Sequence, residues 1–254
     1  MKLSIIIIFC DKDFNCLEKM TSMIEKYITV EHEVILVDNR NNQVPFETKY
    51  KYVSKGKNTY ILEGRRQGLD VAEGEYVWFL DIDDELIDYL TEEDLKNRTE
   101  NILQIPFKVD TGNAMGLNEI KRNIRCFGPG VWCRIYKTSV LKEVLKPIKR
   151  DIDLVNGEDR FILNAMLSKT SIYDNIYIFR DKYRYLYKAS VSCNEAPRVT
   201  KERLERGMIG DENLDYLYSF LPNTQEYQRE KEITKKWNNV NKMKIKNHEY
   251  YDEV

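Results

Sequence analysis

The chain has 254 residues, of which 42% are hydrophobic and 32% charged, with a formal net charge of −2. This composition supports a sizeable buried core and excludes a disordered chain. Both signs of charge are interspersed, which leaves no long-range field for gathering nucleic acid, so no nucleic-acid partner is expected. Five cysteines (Cys10, Cys16, Cys126, Cys133 and Cys193) are scattered without a C-x-x-C pair, and the two histidines, His32 and His248, lie elsewhere. Neither a disulfide framework nor a zinc site is expected from that spacing. The apolar run near Met1 is shorter than a signal-peptide core. No stretch approaches the ~20 apolar residues that span a bilayer. The expected location is the cytoplasm, with at most peripheral contact at the inner face of a membrane.

Leu3 to Ile8 is an unbroken, largely β-branched run, which predicts a strand buried on both faces of a parallel sheet. Phe14, Leu17, Met20, Ile24, Tyr27 and Ile28 then recur at roughly helical spacing. Glu33 to Asp38 predicts a second buried strand ending on an acid, Asn39 to Pro45 a turn, and Lys51 to Ser54 a short strand. A helix is predicted over Ile61 to Ala72. Tyr76 to Leu80 predicts the next buried strand, and it runs into Asp81-Ile82-Asp83-Asp84.

Beyond this point the β-α alternation weakens. A helix is predicted from Thr91, with Thr91 and Asp94 spaced as in a capping box, and a strand from Ile102 to Val109. The Gly128-Pro129-Gly130 break precedes a predicted strand, Val131 to Tyr136. A helix over Glu158 to Leu167 leads to aromatic-rich strands between Ile176 and Tyr187. From about Pro197 the pattern is densely charged and helical, with a basic run from Lys235 to Lys246. The predicted organisation is an α/β catalytic domain over 1–195 and a charged helical extension over 196–254, without internal repeats.

Acids at strand carboxyl ends fall where open α/β sheets bind ligands. Asp81 and Asp83 suit a hard divalent cation, which favours carboxylate oxygens and completes its shell with water and phosphate; a solvated acidic turn has the same sequence. Asp38 suits a base or ribose contact, or a turn cap. Gly64-Arg65-Arg66-Gln67-Gly68 suits a guanidinium on a diphosphate, or an exposed helix face. Gly157-Glu158-Asp159 opens a helix, where backbone N–H groups and the dipole favour acids with or without chemistry. Tyr185, Tyr187 and Lys188, followed by Ser190 and Ser192, suit a phosphate-facing flap, although strand packing explains the aromatic alternation better.

In order and spacing, these segments resemble glycosyltransferase family 2, the inverting family of GT-A fold. Ser4-Ile5-Ile6-Ile7 through Asp11 resembles the family's opening S-I-I-I-P-T-Y-N, and Val34 to Asn39 its I-I-V-V-D-N. Lys57 through Gly68 follows E-N-x-G-x-S-x-A-R-N-x-G without a gap, with Arg65 on the family's arginine. Ala72 through Asp84 follows A-x-G-E-Y-I-x-F-L-D-x-D-D, Trp132 to Leu141 resembles W-x-K-L-Y-x-x-x-V-L, and Gly157-Glu158-Asp159 matches the motif carrying the catalytic base. The resemblance covers about residues 3 to 192. It departs at Ile8-Phe9-Cys10-Asp11, where Cys10 replaces a tyrosine that often stacks on the base, and at Lys188, which replaces the late arginine.

The resemblance implies a GT-A, mostly parallel sheet flanked by helices, and transfer of a sugar from a nucleotide-sugar donor to a hydroxyl of a glycan, lipid-linked or other acceptor, with inversion, in surface-polysaccharide synthesis. Asp81 and Asp83 would hold Mn2+ or Mg2+. Phe9, Asp38, Arg65, Asp81 and Lys188 would contact the nucleotide sugar, with UDP the preferred nucleotide. Asp159 would act as base, with Glu158 the alternative. A nucleotidyltransferase typically opens with a glycine-rich phosphate loop, whereas residues 5–15 contain no glycine. A non-catalytic carbohydrate-binding protein of GT-A-like fold is the other alternative: the altered Phe9-Cys10 region favours it, and the retained Asp81, Asp83 and Asp159 argue against it. A dinucleotide-binding dehydrogenase would carry G-x-G-x-x-G after a strand, which this chain lacks.

Overall fold

The computed structural model describes residues 2–11, 14–43, 45–112, 114–115, 130–152, 154, 157–169, 176–188, 210 and 212–247. Cys126, Gly128, Pro129, Ser190, Ser192, Cys193 and His248 lie outside the described residues. In chain order the elements are β1 (Leu3–Phe9), α1 (Leu17–Tyr27), β2 (His32–Asp38), β3 (Lys51–Ser54), α2 (Ile61–Val71), β4 (Tyr76–Asp81), β5 (Glu85–Leu86) and α3 (Glu92–Leu95). Then follow β6 (Ile102–Gln104), β7 (Phe107–Val109), β8 (Ala114–Met115), β9 (Arg134–Lys137), α4 (Thr138–Leu145), α5 (Glu158–Ser168), β10 (Ile176–Ile178), β11 (Tyr185–Tyr187) and α6 (Gln225–Lys246).

A seven-stranded sheet runs in the order β10-β6-β9-β4-β1-β2-β3, parallel except for β9, which opposes both of its neighbours. β1 lies inside the sheet, between β4 and β2, because its run from Ile5 is apolar on both faces. Leu3, Ile5, Ile7 and Phe9 enter one core with Met20 and Ile24 of α1, while Ile6 enters another with Leu62 and Leu69 of α2. Each such fully buried side chain contributes about 1.5–3 kcal/mol relative to exposure. The register sets Phe9 beside Asp38 and Ile8 beside Asp81. The last residues of β1, β2 and β4 therefore share one carboxyl edge, as the sequence predicted.

The predicted strand over Ile102 to Val109 is two strands in two sheets, parted at Ile105-Pro106. Pro106 has no N–H to continue a ladder. β7 instead joins a four-stranded sheet in the order β5-β11-β7-β8. The predicted strand over Val131 to Tyr136 begins three residues late, because Val131–Cys133 forms a 3-10 turn. That turn is tied by Cys133 Sγ and Arg134 Nη1, which both donate to the Gly130 carbonyl (2.9 and 2.7 Å). The predicted helix from Thr91 is confined to one capped turn, with Thr91 and Asp94 forming the capping box.

The carboxy-terminal segment takes part in the main core. Leu214, Leu217, Tyr218 and Tyr227 are buried in one cluster with Phe161 and Ile162 of α5. Its charge density therefore conceals an apolar stripe. No helix among the described residues is long and apolar enough to cross a membrane.

Candidate functional site

α2 delivers Arg65 to the carboxyl edge of the sheet. The helix lies close against β1 and β2 because its glycines allow it: a Cβ on Gly68 would stand 2.5 Å from Ile6 Cγ2 and 3.1 Å from Val37 Cγ2. Arg65 is thereby 3% exposed, with its guanidinium carbon 5.6 Å from the centre of the Phe79 ring. The exposed-face reading of this segment is excluded for Arg66 as well, which is 8% exposed and donates from Nη1 to the carbonyls of Ile148 and Lys149 at 2.8 Å each.

One guanidinium gathers three predicted site acids. Arg65 Nη2 lies 3.2 Å from Asp159 Oδ1, 3.5 Å from Glu158 Oε1 and 3.9 Å from Asp81 Oδ1. The acids come from the end of β4 and the first turn of α5, 77 and more residues apart in sequence. The helix dipole of α5 favours negative charge at that turn. Burial, and then the neighbouring charge of Asp159, hold the Glu158 carboxyl well above the usual carboxylate range, outweighing Arg65. Among the described residues, Arg65 Nε and Asp159 Oδ1 are buried without a hydrogen-bond partner.

The three aspartates after β4 have separate environments. The Asp81 side chain is 37% exposed and reaches toward Arg65. Burial raises the Asp83 carboxyl above its ordinary value. Asp84 is 2% exposed and accepts from the Tyr185 hydroxyl and from the Lys188 amide, the latter at 2.8 Å. Burial and the charge of Asp81 push the Asp84 carboxyl up to about 8. Asp84 thus ties the motif to β11, a role that the acid's sequence position does not reveal.

Phe9 and Asp38 reach the same edge but are enclosed. The Phe9 side chain is 0% exposed, packed with Phe14 and Phe46 at ring separations of 5.9 Å each, so its ring offers no surface to a ligand. Asp38 accepts from Arg40 Nε at 3.0 Å, Arg40 Nη2 at 2.7 Å and the Tyr52 hydroxyl at 2.5 Å. Although burial opposes it, the hydrogen bonds from Arg40 and Tyr52 lower the Asp38 carboxyl. Arg40 escaped the sequence analysis. It lies 4.7 Å from the centre of the Phe14 ring, and its only sequence signal is a cation two residues beyond a strand-terminal acid. A groove of about 410 Å³ of mixed character, lined by Phe14, Leu17, Phe46 and Tyr50 together with Glu18 and Thr21, opens beside these rings.

On the other side of the acids, Trp132 stacks on Tyr185 and Tyr187, with centroids 4.8 and 4.9 Å away and planes within 9° and 11° of parallel. Packing thus explains Tyr185, which is fully buried, whereas Tyr187 is 37% exposed. The Lys188 ammonium lies 3.9 Å from Glu85 Oε1. A second cavity, of about 580 Å³ and lined by Arg66, Lys142 and Arg150, includes none of the clustered acids. These three cations are engaged: Arg66 with the Ile148 and Lys149 carbonyls, Lys142 with the Ala72 carbonyl, and Arg150 with Glu63 and Asp70.

Among the described residues no three histidine, cysteine or carboxylate side chains form a ready-made metal cage. Asp81 and Asp83 alone are a donor set that fits a magnesium-like ion, which needs only one or two protein carboxylates when substrate phosphates and water supply the rest.

No protein-family profile matches the chain, and neither does any curated protein sequence. Solved structures do match. The structure of Staphylococcus aureus TarS residues 1–349 in complex with UDP-GlcNAc superposes with a TM-score of 0.59 at 18% identity, over 92% of this chain and 79% of that one. The corresponding TarS complex with UDP gives 0.58 at 19% identity, over 84% and 65%. A structure of S. aureus TarS without a stated residue range gives 0.58 at 20%, and this chain spans 47% of it. The chain therefore has the GT-A-type fold that the sequence predicted.

Proposed function

We propose that this chain is a metal-dependent, inverting glycosyltransferase that moves a sugar from a nucleotide-sugar donor, UDP-linked by preference, to an acceptor hydroxyl in glycan or surface-polysaccharide synthesis. The observation that carries the reading is the convergence of Asp81, Glu158 and Asp159 on Arg65 at the carboxyl edge of the sheet. The shared fold with TarS, which was solved with UDP-GlcNAc and with UDP, supports the donor class.

Asp81 and Asp83 would hold Mn2+ or Mg2+. Such an ion acts as a Lewis acid that neutralises charge on a diphosphate leaving group. Asp159, 3.2 Å from Arg65 and at the mouth of the cluster, is the base: it takes the proton of the acceptor hydroxyl. The acceptor oxygen forms the new bond to the anomeric carbon as the bond from that carbon to the diphosphate oxygen breaks on the opposite face. Arg65 pairs with Asp159 and fixes the direction of its carboxylate. Burial and the neighbouring Asp159 favour the proton on Glu158, which disfavours it as the proton acceptor. Arg40, which lies over Phe14 and Phe9 and is held by Asp38, would border the nucleotide, and Lys188 would meet phosphate as a point charge.

The test is a set of nucleotide titrations and kinetics on Asp83→Asn, Glu158→Gln and Asp159→Asn. A nucleoside diphosphate should raise the melting temperature of the parent with manganese and not in chelator. Asp83→Asn should lose that metal-dependent shift. Asp159→Asn should retain it while transfer falls roughly 10²–10⁴-fold. If Glu158→Gln alone abolishes transfer, the base moves by one residue. Full activity in all three variants would falsify the reading.

A further inference from the structure

For Glu158 and Asp159 to face Arg65, the first turn of α5 must be held from its outer side. α6 packs there. Gly157, with φ of 103°, begins that turn, and a Cβ on it would stand 2.6 Å from Thr234 Cγ2. Thr234 is 2% exposed, and its hydroxyl donates to the Glu230 carbonyl at 3.2 Å. One turn earlier, Glu230 Oε2 accepts from Arg160 Nη1 at 2.5 Å, with both side chains largely shielded, at 17% and 25% exposure. Tyr227, Glu230 and Thr234 are three and four residues apart, so they form one face of α6. Arg160 neighbours Asp159 and points about 100° away from it around the helix. Pairing Arg160 outward therefore constrains Asp159 inward.

The contact extends beyond two side chains. Asn164 Nδ2 donates to the Tyr218 hydroxyl at 2.9 Å, and Phe161 meets the Tyr218 ring edge-on at 6.1 Å. Lys231 and Lys235 both pair with Asp215, which joins α6 to the helical stretch at 212–218.

We infer that α6 is a positioning element of the acidic site: Thr234 and Glu230 set the place and tilt of the first turn of α5 through Gly157 and Arg160, and so set the aim of Glu158 and Asp159. The inference rests on the proposed role of that acid pair. Thr234, Glu230 and Arg160 touch no reactant; they act through the backbone of α5. A misplacement of about 1 Å at a reacting group costs on the order of 10²-fold in rate, so even a partial loss of the brace is measurable.

The experiment is a charge swap in the full chain: Arg160→Glu, Glu230→Arg and the double variant. Turnover of a UDP-sugar, affinity for UDP with manganese, and amide hydrogen exchange over residues 157–162 are measured on each. Each single variant should lower kcat roughly 10-fold, leave the donor KM and UDP affinity within about twofold, and speed exchange at 157–162. The double variant should restore both kcat and exchange protection. Glu230→Gln and Thr234→Ala are milder changes that cover failure of a reversed charge to fold, and should lower kcat roughly threefold by the same misplacement. Unchanged kcat and exchange in the variants would overturn the inference, as would joint loss of kcat and UDP affinity without rescue. Should Asp159→Asn transfer sugar at the parent rate, the assigned role of the acid pair fails, and hydrogen exchange still judges the brace by itself.

Discussion

The two edges of the central sheet handle charge in opposite ways. At the amino edge, Glu33 receives hydrogen bonds from the Ser4 hydroxyl (2.6 Å) and the Glu73 amide (2.8 Å), and pairs with Lys51 at 2.9 Å. Lys2 and Lys51 also reach Glu73, at 3.2 and 3.1 Å. Burial works against ionisation there, but the hydrogen bonds and Lys51 win, and the Glu33 carboxyl is lowered to about 2. At the carboxyl edge, Asp81, Glu158 and Asp159 share Arg65, and the carboxyls of Asp83, Asp84 and Glu158 are all raised. The contrast separates structure from function. The amino edge is internally neutralised and stabilises the fold, while the carboxyl edge carries unfavourable negative charge that a cation and a polar ligand would relieve.

The sharpest way to break this comparison is to remove the shared cation. Arg65→Met should reduce transfer by roughly 100-fold or more, the scale of losing a preorganised electrostatic group. It should also cost about 3 kcal/mol of stability near pH 9, where uncompensated carboxylates remain buried. At pH 6 the deficit should be smaller, because Glu158, raised to about 8, is protonated there with or without Arg65. Denaturant melts at the two pH values check this, and a deficit that does not change with pH would show that Arg65 matters only as packing.

Asp84→Asn sharpens the comparison on the pH axis. With the Asp84 carboxyl raised from 3.8 to about 8, the folded state binds more protons than the unfolded chain between those values. Its contribution is therefore fully present below pH 3.8 and is lost as pH rises through about 8. Without metal or nucleotide, the parent should lose stability across that window by up to about 1.4 kcal/mol per pH unit from this group. The asparagine variant should show a shallower slope. Parallel slopes for parent and variant would mean that Asp84 is ionised in the native state.

The smallest effect is expected at the opposite edge. Glu33→Gln should cost about 1–2 kcal/mol at pH 7, the scale of a charged hydrogen bond, and leave kcat/KM unchanged. The sign reverses relative to Asp84. The Glu33 contribution is present above pH 4.5 and is lost as pH falls toward about 2, so parent and variant should converge in acid. A drop in transfer without loss of stability would show that the amino edge takes part in function.

The sequence by itself determined the sheet and the edge. The β-branched run from Ile5 to Ile8 must be buried on both faces, so β1 had to be an interior strand, and strands ending on Asp38 and Asp81 had to present those acids at one rim. Tertiary structure decided what each acid does, because burial and pairing depend on neighbours remote in sequence. Asp83 and Asp84 are adjacent, yet only Asp84 turns inward to Tyr185 and the Lys188 amide, 101 and 104 residues away. Phe9 is sealed by Phe46, and Asp38 is held by Tyr52, contacts that no local pattern encodes. Residues from 196 onward read as a charged extension because most α6 side chains are polar. Tyr227 is buried in the main core and Thr234 against the bare Gly157 that precedes α5. Periodicity reports which face of an element is apolar; what packs against that face is settled only when the chain closes on itself.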